Sequence, residues 1–199
     1  MDLKEHLKDL HDNVLSRRWE ERYSKQPPEV QKKLDELDEA DPEEYQLKVI
    51  KRKRIIPKTG DVFLVNPVQD LYFYGIVLKG YVSNNHGDEQ SVIMIFKSKT
   101  REQTMDNFIL DFDNILIGPC IVEKGYWSRG YFYNIGKIDL THIKLDYGFY
   151  RIGRGQYCDE YGRELNYIPK YLDAFGISTG TGIAYEITKE LIIDNSLLE

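Results

Sequence analysis

The sequence contains few of the residues that build disulfide, metal and membrane sites. Its two cysteines, Cys120 and Cys158, lie far apart and form no CxxC motif. Two thiols allow one disulfide, but a reduced and packed pair is typical of cytosolic chains. No apolar run approaches the roughly 20 residues that cross a bilayer, and the charged N-terminus lacks the apolar centre of a signal peptide. We therefore expect a cytoplasmic protein that makes no membrane contact.

The histidines argue against a metal-dependent enzyme. There are four of them, at His6, His11, His86 and His142. They show none of the HxH, HxxxH or HExxH spacings that hydrolytic metal sites use. A nucleophilic pair of Cys120 or Cys158 with His142 stays open, but no surrounding signature supports it. We predict no metal site, no cofactor and no catalytic residue.

Two glycine-rich stretches, residues 153–155 and 176–182, raise the question of a nucleotide site. Neither has the GxGxxG or GxxxxGK[ST] pattern. The second stretch, GISTGTG, precedes a predicted helix whose first amides could hold an anion. A turn that leads into the helix cap is the preferred interpretation. The carboxylate pair Asp111 and Asp113 is expected to be solvated, because spacing alone does not place two carboxyl groups in a cleft.

Acidic residues outnumber basic ones, with a formal net charge of −6 and a pI of about 5.4. Such a surface repels the phosphate groups of nucleic acids and of anionic membranes. We therefore predict neither of these partners. The same charge favours a basic protein partner.

Residues 1–54 differ in composition from the rest of the chain. They contain 13 of the 27 basic and 14 of the 33 acidic residues, but none of the 15 glycines. Apolar residues recur at steps of three and four from Leu3 to Val14, and at steps of four from Leu15 to Tyr23. This spacing predicts a helix with two apolar stripes, which suits contact with two surfaces or a kink.

Prolines and acids predict two further helices in this segment. Pro27-Pro28 ends the first helix, and a second helix is predicted around residues 28–38. Residues 41–44, with the sequence DPEE, are typical of a helix start, because an N-cap, a proline and two acids stand in order. We expect this third helix to end in the basic run at 51–54. The whole of residues 1–54 is thus predicted to be a charged helical segment.

From residue 55 onward the pattern changes to a period of two. Strand-like runs occupy residues 61–67, 72–82, 91–97, 115–122, 130–136 and 144–153. Short strands separated by turn residues predict a strongly curved antiparallel sheet or a partial barrel. Ile183, Ile187 and Leu191 have helical spacing and predict a C-terminal helix on the sheet. The fold class is therefore α+β, with residues 55–199 as a β-rich domain.

Consecutive aromatic residues predict a protein-binding surface. Tyr72, Phe73 and Tyr74 must point to both faces of a strand, so a sheet packed on one face cannot bury them all. The surplus rings lie at the surface, or the N-terminal helices cover the second face. Exposed tyrosine and tryptophan are enriched in protein interfaces. The predicted partner-binding residues, where rings and acids cluster, are Tyr126, Trp127, Asp159, Glu160 and Tyr161.

Several motifs together resemble a known bacterial family. They are PKTGDVFLVNP at 57–67, YFYGIVLKG at 72–80, GYWSRGYF at 125–132 and YCDEYGREL at 157–165, followed by the glycine turn and helix at 176–193. Their order is similar to that of the immunity protein 26 family of bacterial polymorphic toxin systems. The resemblance covers about residues 55–195 and implies an α+β immunity protein that binds and neutralises a cognate toxin. It implies no catalytic residues.

Two other functions remain open. A small β-barrel-type hydrolase or nucleotide-binding protein would use the glycine turns together with Asp159 and Glu160, and a turnover lost on mutation of Glu160 would favour it. An accessory adaptor would form a homodimer through the N-terminal helices, and light scattering on a chain without residues 1–54 would reveal it.

Overall fold

The computed structural model describes residues 8–199 as an α+β fold with two mixed sheets. The helices are α1 (Val14–Ser24), α2 (Pro28–Glu39), α3 (Pro42–Tyr45), α4 (Gly125–Arg129) and α5 (Gly182–Ile193), with a 3-10 turn at Asn195–Leu198. The main-sheet strands are β1 (Asp61–Val68), β2 (Leu71–Asn84), β3 (Gly87–Thr100), β4 (Ile115–Glu123), β5 (Phe132–Lys137) and β10 (Ile177–Ser178). The second sheet contains β6 (Tyr147–Arg151), β7 (Gln156–Cys158), β8 (Glu164–Leu165) and β9 (Tyr171–Ala174).

The main sheet has the order β10-β4-β3-β2-β1-β5, and the second has the order β8-β7-β6-β9. Most neighbours are antiparallel, as predicted, but β10 pairs with β4 and β9 with β6 in parallel. Two edge strands bound each sheet, and no pairing closes either one. The α+β class is thus confirmed, whereas a strongly curved sheet or partial barrel is not.

The central strands of the main sheet are buried on both faces. Successive residues of β1 illustrate this, because Phe63 and Val65 join one core cluster while Val62 and Leu64 join another. Strand side chains alternate between the two faces of a sheet. Each face therefore needs its own cover.

The helices α4 and α5 cover the first face. Ile183, Ile187 and Leu191 of α5 lie in the same cluster as the β1 to β4 side chains, so the predicted C-terminal helix is confirmed. The ring of Phe63 stacks on Phe132 at 4.5 Å. Burial of these apolar side chains is the main source of stability on this face.

Irregular segments cover the second face. Phe108, Leu110 and Phe112, from the segment between β3 and β4, pack on Ile76, Met94 and Phe96. Side chains of residues 138–145 contact the same cluster. The expectation that N-terminal helices would cover this face is wrong, because α2 and α3 pack against α5 instead.

The helices α2 and α3 begin where Pro28 and Asp41 predicted, whereas the first predicted helix is interrupted at residues 12–13. Asn13 accepts hydrogen bonds from the N–H groups of Leu15 and Ser16 and starts α1. Asp41 caps α3 through a capping box. Leu3 and Leu7 of the predicted apolar stripe lie outside the described residues.

The third predicted helix is wrong in length, since α3 ends at Tyr45 instead of near residue 54. Residues 46–54 are not helical. The N–H of Lys48 donates to the Asn66 carbonyl at 2.8 Å, and that of Ile50 donates to the Gly130 carbonyl at 2.8 Å. These bonds to the β-rich part, with the burial of Leu47, favour an extended chain over a helix.

We expect Gly75→Ala to destabilise the fold by about 1–3 kcal/mol, as overpacking of a core does. A Cβ at Gly75 would lie 2.3 Å from Cζ of the Phe63 ring, which faces it across β1 and β2. Urea unfolding at neutral pH measures the effect. Gly176→Ala is the matched control, because a Cβ there has no heavy atom within 4 Å. An equal loss in both variants would contradict this account of the Phe63 packing.

Candidate functional site

The structure places Tyr126 and Trp127 in the core, where a partner cannot touch them. Tyr126 is 1% exposed and Trp127 is 0% exposed. The indole N–H of Trp127 donates to Oδ1 of Asn134 at 2.6 Å, and its ring packs on Phe63 and Phe132. Their prediction as surface contacts is corrected, because these rings fill the space between the sheet and α4.

The other three predicted residues form an ordered turn at the surface. The carboxylate of Asp159 accepts hydrogen bonds from the N–H groups of Tyr161 and Arg163, both at 2.9 Å, and from Nε of Arg163 at 2.8 Å. The Arg163 guanidinium lies 4.7 Å from the centre of the Tyr161 ring. We call Asp159, Glu160 and Tyr161 the acidic turn.

A contact with β2 helps to hold the acidic turn in place. Asn84, the last residue of β2, donates from its side-chain amide to the Glu160 carbonyl at 3.0 Å. The Tyr161 ring packs against the buried cluster of Val82, Phe149 and Cys158. The Asp159 carboxylate is therefore occupied within the turn, and the half-buried Glu160 carboxylate contacts the Tyr147 hydroxyl.

A second candidate site is a cavity of about 800 Å³ beneath α1, which we call the thiol cavity. Cys120 on β4 and Asp173 on β9 meet there, with the thiol donating to Oδ2 at 3.3 Å. The N–H of Ala174 donates to the other carboxylate oxygen at 2.7 Å. Sequence reasoning missed this pair, since Asp173 stands in no motif and 53 residues separate it from Cys120.

Burial governs the protonation of both groups in the thiol cavity. Burial raises the pKa of Asp173 to about 6, although the Ala174 N–H and the Cys120 thiol favour its ionised form. Burial and the adjacent Asp173 raise the pKa of the Cys120 thiol well above its ordinary value. A protonated thiol is a poor nucleophile.

The cavity also lacks the usual base for a thiol. No histidine is among the described residues that line it. His142 lies exposed in a loop, and Cys158 is a buried free thiol on β7. The Cys120 thiol therefore stays protonated as a hydrogen-bond donor to Asp173, and this arrangement does not activate it as a nucleophile.

The glycine-rich stretch at 176–182 forms an edge strand and the turn that leads into α5. Ile177 and Ser178 form β10 beside β4, and the Tyr126 hydroxyl donates to the Thr179 carbonyl. Thr181 occupies the cap position of α5, but its side chain makes no capping hydrogen bond. The stretch thus joins the sheet to α5, as the turn interpretation predicted.

Charged side chains fasten α1 to α5 at the rim of the thiol cavity. Arg22 binds Glu190 with two hydrogen bonds, at 2.5 and 2.6 Å. Lys189 lies 4.3 Å from the Trp19 ring centre and pairs with Glu186 at 2.5 Å. Glu190 is 7% exposed, so removal of Arg22 would leave a buried carboxylate without its ion-pair partner.

Metal and membrane features are absent from the part of the chain that the structure describes. Within residues 8–199, no group of three His, Cys, Asp or Glu side chains could hold a metal ion. None of the helices in that range combines the length and the apolar character that a bilayer crossing needs.

We expect the pH dependence of stability to change in Asp173→Asn. Folding raises the pKa of Asp173 from 3.8 to about 6, so the folded state holds this proton more tightly than the unfolded chain. The protonated carboxyl therefore adds stability that is complete below about pH 4 and is lost as the pH rises to about 6. Relative to wild type, the variant should gain about 1–3 kcal/mol between these pH values.

Urea unfolding of wild type and variant from pH 4.5 to 7.5 measures this difference. Asp88→Asn, which removes an exposed carboxylate, controls for the loss of one negative charge. A constant difference between wild type and Asp173→Asn across this range would contradict the assignment.

We expect Arg22→Met to lower the free energy of unfolding by about 1–3 kcal/mol, because it leaves the Glu190 carboxylate without its guanidinium. Hydrogen exchange should also become faster in α1. Lys25→Met is the control, since its pair with Glu21 is exposed at both ends and contributes below about 0.5 kcal/mol. Similar losses in the two variants would show that the pair does not fasten α1.

Comparison with known proteins points to one family. A sequence model of the family described as Immunity protein 26 matches residues 58–158, which is half of the chain. No curated protein and no solved structure matches the chain. The match covers β1 to β7 and ends at Cys158, immediately before the first residue of the acidic turn.

Proposed function

Because the chain belongs to the immunity protein 26 family, we propose that it neutralises a cognate bacterial toxin by binding it in a stoichiometric complex. The family membership is the observation that carries this proposal, and it suggests a non-enzymatic role. Binding would cover the active site of the toxin or the path of its substrate. Such interfaces bury about 1,200–2,000 Å² in total.

The acidic turn supports the proposal as a contact point. Asp159 and Arg163 order the turn before any partner arrives, so little conformational entropy is lost on binding. Glu160 and Tyr161 offer a carboxylate next to a ring. Aromatic anchors with a charged rim are common at protein interfaces.

Exposed acids elsewhere favour a basic toxin, such as a nuclease. Residues 35–44 contain seven acids and no basic residue, and all seven acids are exposed. Tyr23 and Tyr185 donate hydrogen bonds to Asp35 and Asp38, but these two carboxylates keep their negative charge at the surface. Such a surface speeds the association of a basic partner and makes it dependent on salt.

The proposed complex forms in the cytoplasm, because two buried free thiols suit a reducing compartment. A homodimer through the N-terminal helices stays a prediction. In this structure, Leu34 and Leu37 of α2 are buried within the chain itself.

Co-expression with the toxin gene that adjoins the gene of this protein tests the function. We expect growth to be restored by the wild-type protein and a 1:1 complex to be recovered by size-exclusion chromatography. Glu160→Lys should weaken binding about tenfold or more, because it opposes the charge of a basic toxin.

Glu164→Lys is the matched control, because it makes the same charge change at an exposed position on β8. Thermal midpoints of both variants show that they fold. Unchanged toxicity in the presence of the wild-type protein would refute the function. Equal binding by the two variants would refute only the role of the acidic turn.

A further inference from the structure

An open groove of about 890 Å³ lies on the second face of the main sheet, and Tyr147 at its edge also contacts Glu160 of the acidic turn. One side is formed by Leu78 and Lys79 of β2, and the other by the segment 137–145 that leads from β5 toward β6. Phe112 and Tyr147 complete it. We call it the lysine groove.

The floor of the lysine groove is apolar because it is the outer surface of the non-regular segments that cover the second face of the main sheet. Ile138, Leu140 and Leu145 pack inward on Ile76, Met94 and Phe96. No helix or strand of residues 8–199 lies over them as a further layer, and Ile143 is 38% exposed. Exposed Ile143 and the half-buried side chains of Ile138, Leu140 and Leu145 thus form one apolar surface, which is a feature of binding sites.

The rim of the groove is basic, although the chain as a whole is acidic. Lys79, Lys137 and Lys144 line it, and none of the three forms an ion pair with a described residue. Asp139 is the single acid in the described lining. Its carboxylate accepts from the N–H of Thr141 at 2.9 Å and from the Thr141 hydroxyl at 2.8 Å.

These bonds direct Asp139 toward its own turn. The Thr141 backbone N–H, then its hydroxyl, and to a smaller extent the charge of Lys137 lower the pKa of Asp139. The three ammonium groups remain available for a ligand, so the groove offers apolar contact inside and positive charge around it.

The position of the groove connects it to the family. Its described lining runs from Thr59 to Tyr147 and lies wholly within the matched residues 58–158. The thiol cavity, in contrast, is built largely from α1 and α5, outside that match. The groove therefore lies in the part of the chain by which the family is recognised, whereas most of the thiol cavity does not.

We propose that the lysine groove binds a segment of the toxin that carries apolar side chains flanked by Asp or Glu. This inference rests on the proposed function and names the surface and the partner chemistry for it. The apolar side chains would cover Leu140, Ile143 and Leu145, and the flanking carboxylates would meet the three lysines. A toxin that is basic elsewhere can still carry such a segment, so the acidic turn and the groove would contact different parts of it.

The test measures binding of the purified toxin by isothermal titration calorimetry at two salt concentrations. The groove variant is Lys79→Glu, Lys137→Glu and Lys144→Glu in one chain. The control is Lys33→Glu, Lys48→Glu and Lys53→Glu, which changes the net charge equally at exposed lysines away from the groove. We expect the groove variant to bind about tenfold or more weakly than the control, with a smaller salt dependence for its remaining affinity.

Two variants that each replace an exposed isoleucine by serine test the apolar floor of the groove separately. Ile143→Ser should weaken binding severalfold, whereas Ile56→Ser, at an exposed isoleucine outside the groove, should not. Circular dichroism and thermal midpoints confirm that each variant folds.

The outcomes distinguish the two proposals. If the wild-type protein does not bind the toxin, the proposed function fails and this inference fails with it. If wild type binds and the groove variant binds as well as its charge control, only the groove inference is overturned. It is also overturned if light scattering shows a wild-type homodimer that the groove variant dissociates, because a second copy would then be the occupant.

Discussion

Burial of the central strands on both faces is the constraint on which the rest of this structure depends. Side chains of β1 to β4 alternate between one apolar cluster on the first face and smaller clusters on the second, so neither face can be left to water. The chain covers the first face with α4 and α5, whose apolar residues enter the same cluster as Phe63 and Val65. It covers the second with irregular segments, whose outer surface becomes the floor of the lysine groove.

Much of this architecture could be predicted from local patterns. The runs of β-branched and aromatic residues mark β1 to β4, because alternation and turn residues are short-range signals. Asp41 marks the start of α3, and Ile183 with Ile187 marks α5, for the same reason. These elements depend on neighbours in sequence.

The errors arise where long-range contacts decide the outcome. Residues 46–54 have the charge pattern of a helix end, but hydrogen bonds to Asn66 and Gly130 hold them extended. Tyr126 and Trp127 look like surplus rings, yet the gap between the sheet and α4 accommodates both. The parallel strands β9 and β10 are only four and two residues long, too short to show a period. The meeting of Cys120 with Asp173 depends on that strand arrangement.

Buried and exposed polar groups of this molecule differ in whether they are paired with another side chain. The enclosed groups are paired, as Glu190 is with Arg22 and Cys120 with Asp173. The acids of residues 35–44 are all exposed, and the lysines of the groove form no ion pair with a described residue. Enclosed pairs contribute to folding, while unpaired surface charges with apolar neighbours are available to another molecule.

The first-face cover also determines where this protein can be shortened. Ile183, Ile187, Leu191 and Leu197 fill the cluster beneath Val65 and Phe73, and all four lie beyond residue 158. A fragment limited to the residues shared with the family would therefore present a wide strip of bare aliphatic and aromatic surface to water. Such a fragment would aggregate or recruit a substitute helix. The smallest part of this chain that can fold alone is consequently longer than residues 58–158, which match the family.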